Sequence, residues 1–187
     1  MKRRIFIAIN LPEKIKKRLK EYREQHDTLP VRWTKIPSLH LTLVFIGYVD
    51  NEQMLEACKI TRKVAEEMDP FFINFKRISL GPEAKAPRMV WLEGGASEEL
   101  GQLKNELEKA LLAGETGFRK AETRAFSPHI TLARIKAVEW RRTQINSSEI
   151  ETDFSAQVEV SSVEVMESDL KFDGAEYATL EECPLGG

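Results

Sequence analysis

Two apolar stretches carry the same polar insertion, and that repetition constrains the fold more than any other feature of the chain. Ser38–Gly47 reads SLHLTLVFIG and Ser127–Ile135 reads SPHITLARI. With His40 and His129 superposed, Ser at −2, Leu or Ile at +1, Thr at +2, Leu at +3 and Ile at +6 all agree. The chain holds three histidines, and two fall in these frames. Residues i and i+2 of a strand share a face, so His40 and Thr42 look one way while Leu41 and Leu43 look the other. His129 and Thr131 stand in the same relation to Ile130 and Leu132. Each strand must bury one face and present a His–Thr pair on the other. A chain that does this once in each half is expected to form a duplicated, pseudo-twofold structure with the two pairs facing each other.

The remaining sequence switches repeatedly between strand and helix periods. Arg4–Asn10 reads as a strand, and Pro12 opens a helix to about His26 with Ile15, Leu19 and Tyr22 on one side. Val31–Thr34 and Leu39–Ile46 read as strands, the second ended by Gly47. Asp50 or Asn51 caps a helix to about Met68. Phe71–Leu80 is a strand, followed by a loop from Gly81 to Pro87 and a short strand, Arg88–Leu92. Ser97 caps a helix to about Ala113, and Gly114–Arg124 is a polar connection. His129–Ile135 is a strand, and Ala137–Ser147 a short helix or irregular. Phe154–Glu167 and Glu176–Leu180 close the chain as strands around an Asp173-Gly174 turn. Helices and strands mix without regular βαβ alternation, which favours α+β with antiparallel sheet. The 187 residues fit a single domain, 1–187, built of two small lobes sharing a core.

The formal net charge of −2 announces no nucleic-acid partner, so any phosphate-binding surface must be local. The opening MKRRIFIAINLPEK is basic and then apolar, but the apolar run is too short for a membrane span and is closed by Pro12. A cytoplasmic protein is the default expectation. Cys58 and Cys183 form no metal-ligand pattern, and no disulfide, metal or other cofactor is expected.

A histidine pair suits one chemistry in particular. Imidazoles titrate near neutral pH, so one can be neutral while the other is protonated. The neutral ring takes a proton from an attacking hydroxyl or water, and the charged ring gives one to the leaving oxygen. Phosphodiester cleavage needs both acts on opposite sides of phosphorus, because attacking and leaving groups lie roughly in line. Threonine hydroxyls beside them can bond the non-bridging phosphate oxygens. The alternative for either His-x-Thr pair alone is a structural one, a polar strand face or a hydrogen-bonded core histidine.

With these residues in view, the chain resembles the two-histidine phosphoesterases, and within them the LigT-type RNA 2′,3′-cyclic phosphodiesterases, also called 2′-5′ RNA ligases. The resemblance rests on HLTL at His40–Leu43, HITL at His129–Leu132, RIFIAINLPEKIKKRL near the start, RMVWLEG and FSPHITLARI. It implies a bilobal α+β fold with antiparallel sheets around a central cleft and helices outside. It also implies metal-free hydrolysis of an RNA 2′,3′-cyclic phosphate end to a 2′-phosphate, with joining or cleavage of 2′-5′ linkages as related chemistry. By the same resemblance His40 is the proton donor to the leaving 3′ oxygen, His129 the base activating water, and Thr42 and Thr131 hold the phosphate. Alternatives are the same machinery acting on 2′-5′ oligonucleotides or a small cyclic-phosphate metabolite, or a nucleotide- or RNA-binding module without turnover. A monomer is the default.

Arg134, at +5 from His129, matches an arginine common in that branch and is either a phosphate partner or a solvated strand-end residue. On a regular strand it would face the wrong side, so a bulge must re-aim it. Its counterpart in the first half, Phe45, is assigned to core packing, with base stacking as the alternative. Trp33, flanked by Arg32 and Lys35, is either a base platform with phosphate contacts or a half-buried tryptophan. The scattered basic residues of Glu83–Arg88 and Phe118–Arg124 either rim the cleft or are solvated surface, and His26 reads as surface.

Overall fold

The computed structural model describes residues 2–83, 86–118, 126–143, 145–171 and 174–186. Strand β1 (Arg3–Asn10) leads into helix α1 (Glu13–Gln25), and a three-residue β2 (Val31–Trp33) precedes β3 (His40–Val49). Helix α2 (Asn51–Glu66) is followed by β4 (Phe71–Gly81), β5 (Met89–Gly94), helix α3 (Glu98–Ala113) and β6 (His129–Ile135). Helix α4 (Ala137–Thr143) and strands β7 (Thr152–Val160), β8 (Ser162–Lys171) and β9 (Gly174–Pro184) complete the described chain.

Local signals explain the helix boundaries. The Asp50 carboxylate accepts from the Gln53 backbone N–H at 2.9 Å while the Gln53 side chain accepts from the Asp50 N–H at 3.0 Å, a reciprocal cap that starts α2. Ser97 Oγ accepts from the Leu100 N–H at 3.1 Å at the head of α3. Helix α3 then buries Leu100, Leu103, Leu107 and Leu111, and α1 buries Ile15, Leu19 and Tyr22, each at three- and four-residue spacing.

The described strands form one antiparallel sheet in the order β7-β4-β5-β6-β3-β1-β8-β9, with β2 pairing β6 in line with β3. Strands β7 and β8 lie six positions apart in that order, yet Ser161 alone separates them in the chain. The sheet therefore curls until its two wings approach at that end. One face packs on the helices: Ile5, Ile7, Ile9, Leu41, Leu43, Val90, Leu92, Ile130 and Leu132 share a buried cluster with the apolar sides of α1, α2 and α3. The opposite face of the central strands carries the polar members of both histidine motifs.

Two expectations need correction. The segment Phe154–Glu167 is not one strand but two, with β7 on β4 and β8 on β1. No glycine or proline marks the break. Its trace in the sequence is a change of phase, since buried Val158 and Val160 are even-numbered and buried Val163 and Val165 odd-numbered. Gly47 does not end β3. It adopts φ +102°, a conformation glycine reaches without steric cost, and the strand runs on to Val49. The β8–β9 hairpin forms in the expected place, although Asp173 lies outside the described residues. No described helix is long and apolar enough to cross a membrane. Cys58 and Cys183 are buried with free thiols, whose pKa burial pushes up to about 11 and about 12 respectively.

Candidate active site

Strands β3 and β6 meet antiparallel at the pair Leu41 and Ile130. Carrying that register one residue each way sets His40 opposite Thr131 and Thr42 opposite His129. All four side chains share the face away from the helices. The histidines occupy one diagonal of the quartet and the threonines the other. Diagonal neighbours in an antiparallel sheet stand about 7–8 Å apart, a gap of the size a phosphate group fills.

The same register defect recurs in both halves. Strand β1 pairs Ile7 with Val44 but Ala8 with Thr42, and β5 pairs Val90 with Ala133 but Trp91 with Thr131. In each case an extra residue sits in the motif strand, and two consecutive buried residues mark it: Leu43–Val44 and Leu132–Ala133. This bulge brings the +5 residue to the face of the histidines. Met89 and Trp91 are two apart on β5 and share a face; their partners are Arg134 and Thr131. Arg134 therefore lies on the face of Thr131 and His129. By the equivalent argument Phe45, opposite Phe6, lies on the face of His40 and Thr42. The assignment of Phe45 to the core is overturned: it is 64% exposed and its ring lies 6.0 Å from that of Phe6.

Both imidazoles are oriented alike. His40 Nδ1 bonds the Ser38 carbonyl at 2.8 Å, and His129 Nδ1 bonds the Ser127 carbonyl at 2.8 Å. The carbonyl can only accept, so each Nδ1 carries the proton and each Nε2 is left for a ligand. The serine at −2 in both motifs thus contributes its backbone oxygen. The two rings sit in different surroundings. His40 is wedged between Phe6 and Tyr177, with ring centroids at 4.9 Å from each. Burial lowers its pKa below the ordinary histidine value, and the Ser38 carbonyl offsets this in part. His129 stacks on Trp91 at 4.0 Å and 25° between planes.

The neighbouring strands complete the surface. Trp91 Nε1 donates to Met89 Sδ at 3.4 Å, and Thr131 Oγ1 lies 3.8 Å from the same sulfur. A Cβ at Gly81 would collide with the Trp91 ring. Glu93 stands directly across from His129. It accepts from Arg77 Nε at 2.9 Å and from the Ser79 hydroxyl, and the Arg77 guanidinium holds its carboxyl below the usual carboxylate range.

Other candidates separate clearly. Trp33 turns to the helix side, half-buried and edge-on to Tyr22 at 6.1 Å, so it offers no platform at the quartet. Arg32, its neighbour, pairs with Arg134 across β2 and β6 and so lies on the histidine face. His26 is a fastening rather than plain surface: its ring nitrogens lie 2.8 Å from the Tyr22 carbonyl and 3.0 Å from the Glu149 carbonyl. In the two basic loops, Ala84, Lys85 and residues 119–125 lie outside the described residues. Sequence reasoning missed Phe6, Trp91 and Tyr177 at the site. The signal was available for Trp91, which alternates with buried Val90 and Leu92 on a strand flanking the second motif. Phe6 lies in the unbroken buried run Ile5–Ile9 and gave none. Tyr177 gave none, because it reaches His40 only through the curl of the sheet.

The profile of the family described as LigT like phosphoesterase matches the chain twice, over residues 9–91 and 92–173, one match for each histidine motif. A protein of Aeropyrum pernix named RNA 2′,3′-cyclic phosphodiesterase is 32% identical over 160 residues, 84% of this chain and 88% of that one. The crystal structure of TT0787 of Thermus thermophilus superposes with a TM-score of 0.83 at 26% identity, covering 98% of both chains. Escherichia coli LigT complexed with 3′-AMP superposes with a TM-score of 0.74 at 26% identity, covering 100% of this chain and 99% of that one.

Proposed function

The chain belongs to the LigT-like phosphoesterase family, and from that premise we propose that it is an RNA 2′,3′-cyclic phosphodiesterase in which His40 and His129 work as an acid–base pair. The observation that carries this reading is the diagonal quartet of His40, Thr131, Thr42 and His129, with both Nε2 atoms left free by bonds at Nδ1.

The cyclic phosphate sits across the quartet. The Thr42 and Thr131 hydroxyls donate to its non-bridging oxygens, and Arg134 adds its positive charge from the end of β6. One imidazole removes a proton from water as the water oxygen attacks phosphorus. The P–O3′ bond breaks in line, and the other imidazolium delivers its proton to O3′. The products are a 2′-phosphomonoester and a free 3′ hydroxyl. Following the family resemblance, His40 is the donor and His129 the base. In the free protein burial favours neutral His40; the phosphate anion favours its charged form, so substrate binding and protonation of His40 are coupled. If a 5′ hydroxyl replaces water, the same steps give a 2′-5′ linkage. The scheme asks nothing of a metal ion. Both histidines come from one chain, so a monomer holds a complete site, one domain serves both half-sites, and RNA ends in the cytoplasm are its substrate.

The test is hydrolysis of a nucleoside 2′,3′-cyclic phosphate and of a short RNA with that end, in excess chelator from pH 5 to 9, with the product isomer identified. Chelator-resistant formation of the 2′-phosphate, a bell-shaped profile and a loss of at least about 10²-fold in kcat for both His40→Ala and His129→Ala are expected. A folded protein that binds these compounds without converting them would make it a binding module instead. A further arm with a 5′-hydroxyl oligonucleotide reads ligation.

A further inference from the structure

The cross-strand pair Arg32–Arg134 sets two like charges directly opposite each other on the face of the histidines. Such a pair begins about 5 Å apart at the Cα atoms and opposes sheet formation. Among the described residues neither arginine has an ion-pair or side-chain hydrogen-bond partner, and both are exposed. A sheet that keeps two uncompensated arginines side by side next to an anion site is arranged for more negative charge than one phosphate. Their places differ. Arg134 lies three residues along β6 from Thr131, a displacement of roughly 7–10 Å once the bulge is allowed for, which is within the span of an extended arginine side chain. Arg32 lies one strand further out, in line with β3 but beyond its end, where it serves a neighbouring group rather than the reacting one.

The opposite end of the face is different in kind. Phe45, Phe6 and the exposed Tyr48 lie toward the far end of β3, where the cation is Arg4, paired with Tyr48 and set apart from the two arginines at the other end. The face thus carries aromatic rings with Arg4 at one end and the side-by-side arginine pair at the other, with the quartet between.

We infer that Arg32 binds the phosphodiester immediately upstream of the reacting end, so that the preferred substrate is an oligonucleotide rather than a cyclic mononucleotide. This rests on the cyclic-phosphate function proposed above and deepens it: the terminal base lies toward Phe45 and the strand leaves over Arg32 and Arg134. Arg32 is a specificity residue and touches no reacting atom.

The experiment compares cytidine 2′,3′-cyclic phosphate with a cytidine dinucleotide bearing the same end, for wild type, Arg32→Gln and Arg32→Lys. The ratio of kcat/KM for dinucleotide over mononucleotide is expected to fall about tenfold in Arg32→Gln, through KM, and to be partly restored in Arg32→Lys. The salt dependence of dinucleotide binding should lose roughly 0.7 from its log–log slope, one phosphate contact on a single strand. The melting temperature of Arg32→Gln should be no lower than wild type, since a like-charge pair is relieved. An unchanged ratio overturns the inference, and so does an equal loss on both substrates. Calorimetry with the dinucleotide and mononucleotide 2′-phosphates keeps the two proposals apart. If wild type turns over neither cyclic compound, the enzyme assignment fails. Arg32 is then judged by whether Arg32→Gln weakens the dinucleotide product more than the mononucleotide.

Discussion

Leu41 on β3 and Ile130 on β6 stand directly opposite each other and are both buried on the helix side of the sheet. Because side chains alternate along a strand, that one pairing obliges His40, Thr42, His129 and Thr131 to share the other side. A slip of one residue would send a histidine into the core and a leucine into the cleft. Apolar burial therefore sets the register of the site, without help from the polar groups themselves.

If the register positions the hydroxyls as phosphate donors, removing one should cost catalysis and little else. Thr42→Val and Thr131→Val keep the β-branched shape and delete the hydroxyl. Each is expected to lower kcat/KM by about 10²-fold, the usual loss for one donor to developing charge. Neither residue is in the core cluster, so melting temperature should move little. Steady-state kinetics beside a thermal melt read both. Activity within twofold of wild type would make the threonines spectators.

Trp91 is held between Gly81 below and His129 above. Gly81→Ala puts a methyl group into the Trp91 ring, and overpacking of this kind costs about 1–3 kcal/mol. It should also displace the ring that supports His129 and lower kcat. Trp91→Ala removes the collision, so Gly81→Ala should cost far less stability in that background than in wild type. Denaturant unfolding of the two single variants and the double variant measures this coupling. Additive losses would mean that the two residues do not meet.

How much of this was legible in the chain depends on the range of the interaction. The repeat at His40 and His129 exposed the quartet, because alternation along a strand is local. Helix α3 could be placed from Ser97 and the spacing of Leu100, Leu103, Leu107 and Leu111 for the same reason. The bulge after Thr131 could only be required in order to turn Arg134 inward; its position follows from how β5 pairs with β6. Phe45 was misplaced because the matching bulge in β3 was not applied to it, although the motifs were known to repeat. The break at Ser161 and the approach of Tyr177 to His40 depend on the curl of the whole sheet, which no local pattern carries.

Burial, more than its bond to Ser38, decides the protonation of His40 and lowers its pKa. The folded protein then binds the His40 proton less readily than the unfolded chain does. Its contribution to stability is complete above about pH 6.5, the unfolded histidine value, and is lost as pH falls through the lower folded value. The Cε1–H resonance of His40 should titrate below pH 6.5. The wild-type drop in unfolding free energy between pH 7.5 and pH 5 should be smaller in His40→Gln. Bound anion works in the opposite direction, so sulfate, which does not titrate in this range, should raise the His40 midpoint and bind more tightly at pH 5 than at pH 8. A midpoint at or above 6.5 in the free protein would overturn the argument from burial.

Phe45 supplies the sharpest contrast between packing and function. An exposed phenylalanine contributes little to folding, so Phe45→Ala should change stability by no more than about 0.5 kcal/mol. Its ring lies on the histidine face beside Phe6, where a base attached to the bound ribose can stack. Base–aromatic stacking is worth about 1–3 kcal/mol, which corresponds to a rise in KM of at least about fivefold. The comparison that isolates the base is a nucleoside 2′,3′-cyclic phosphate against 1-O-methylribose 2′,3′-cyclic phosphate, which lacks one. Phe45→Ala should raise KM for the first while kcat stays near wild type, and should narrow the preference between the two. An equal change for both compounds would place the ring's effect on the catalytic quartet through Phe6 and His40, and the base would have to be bound elsewhere.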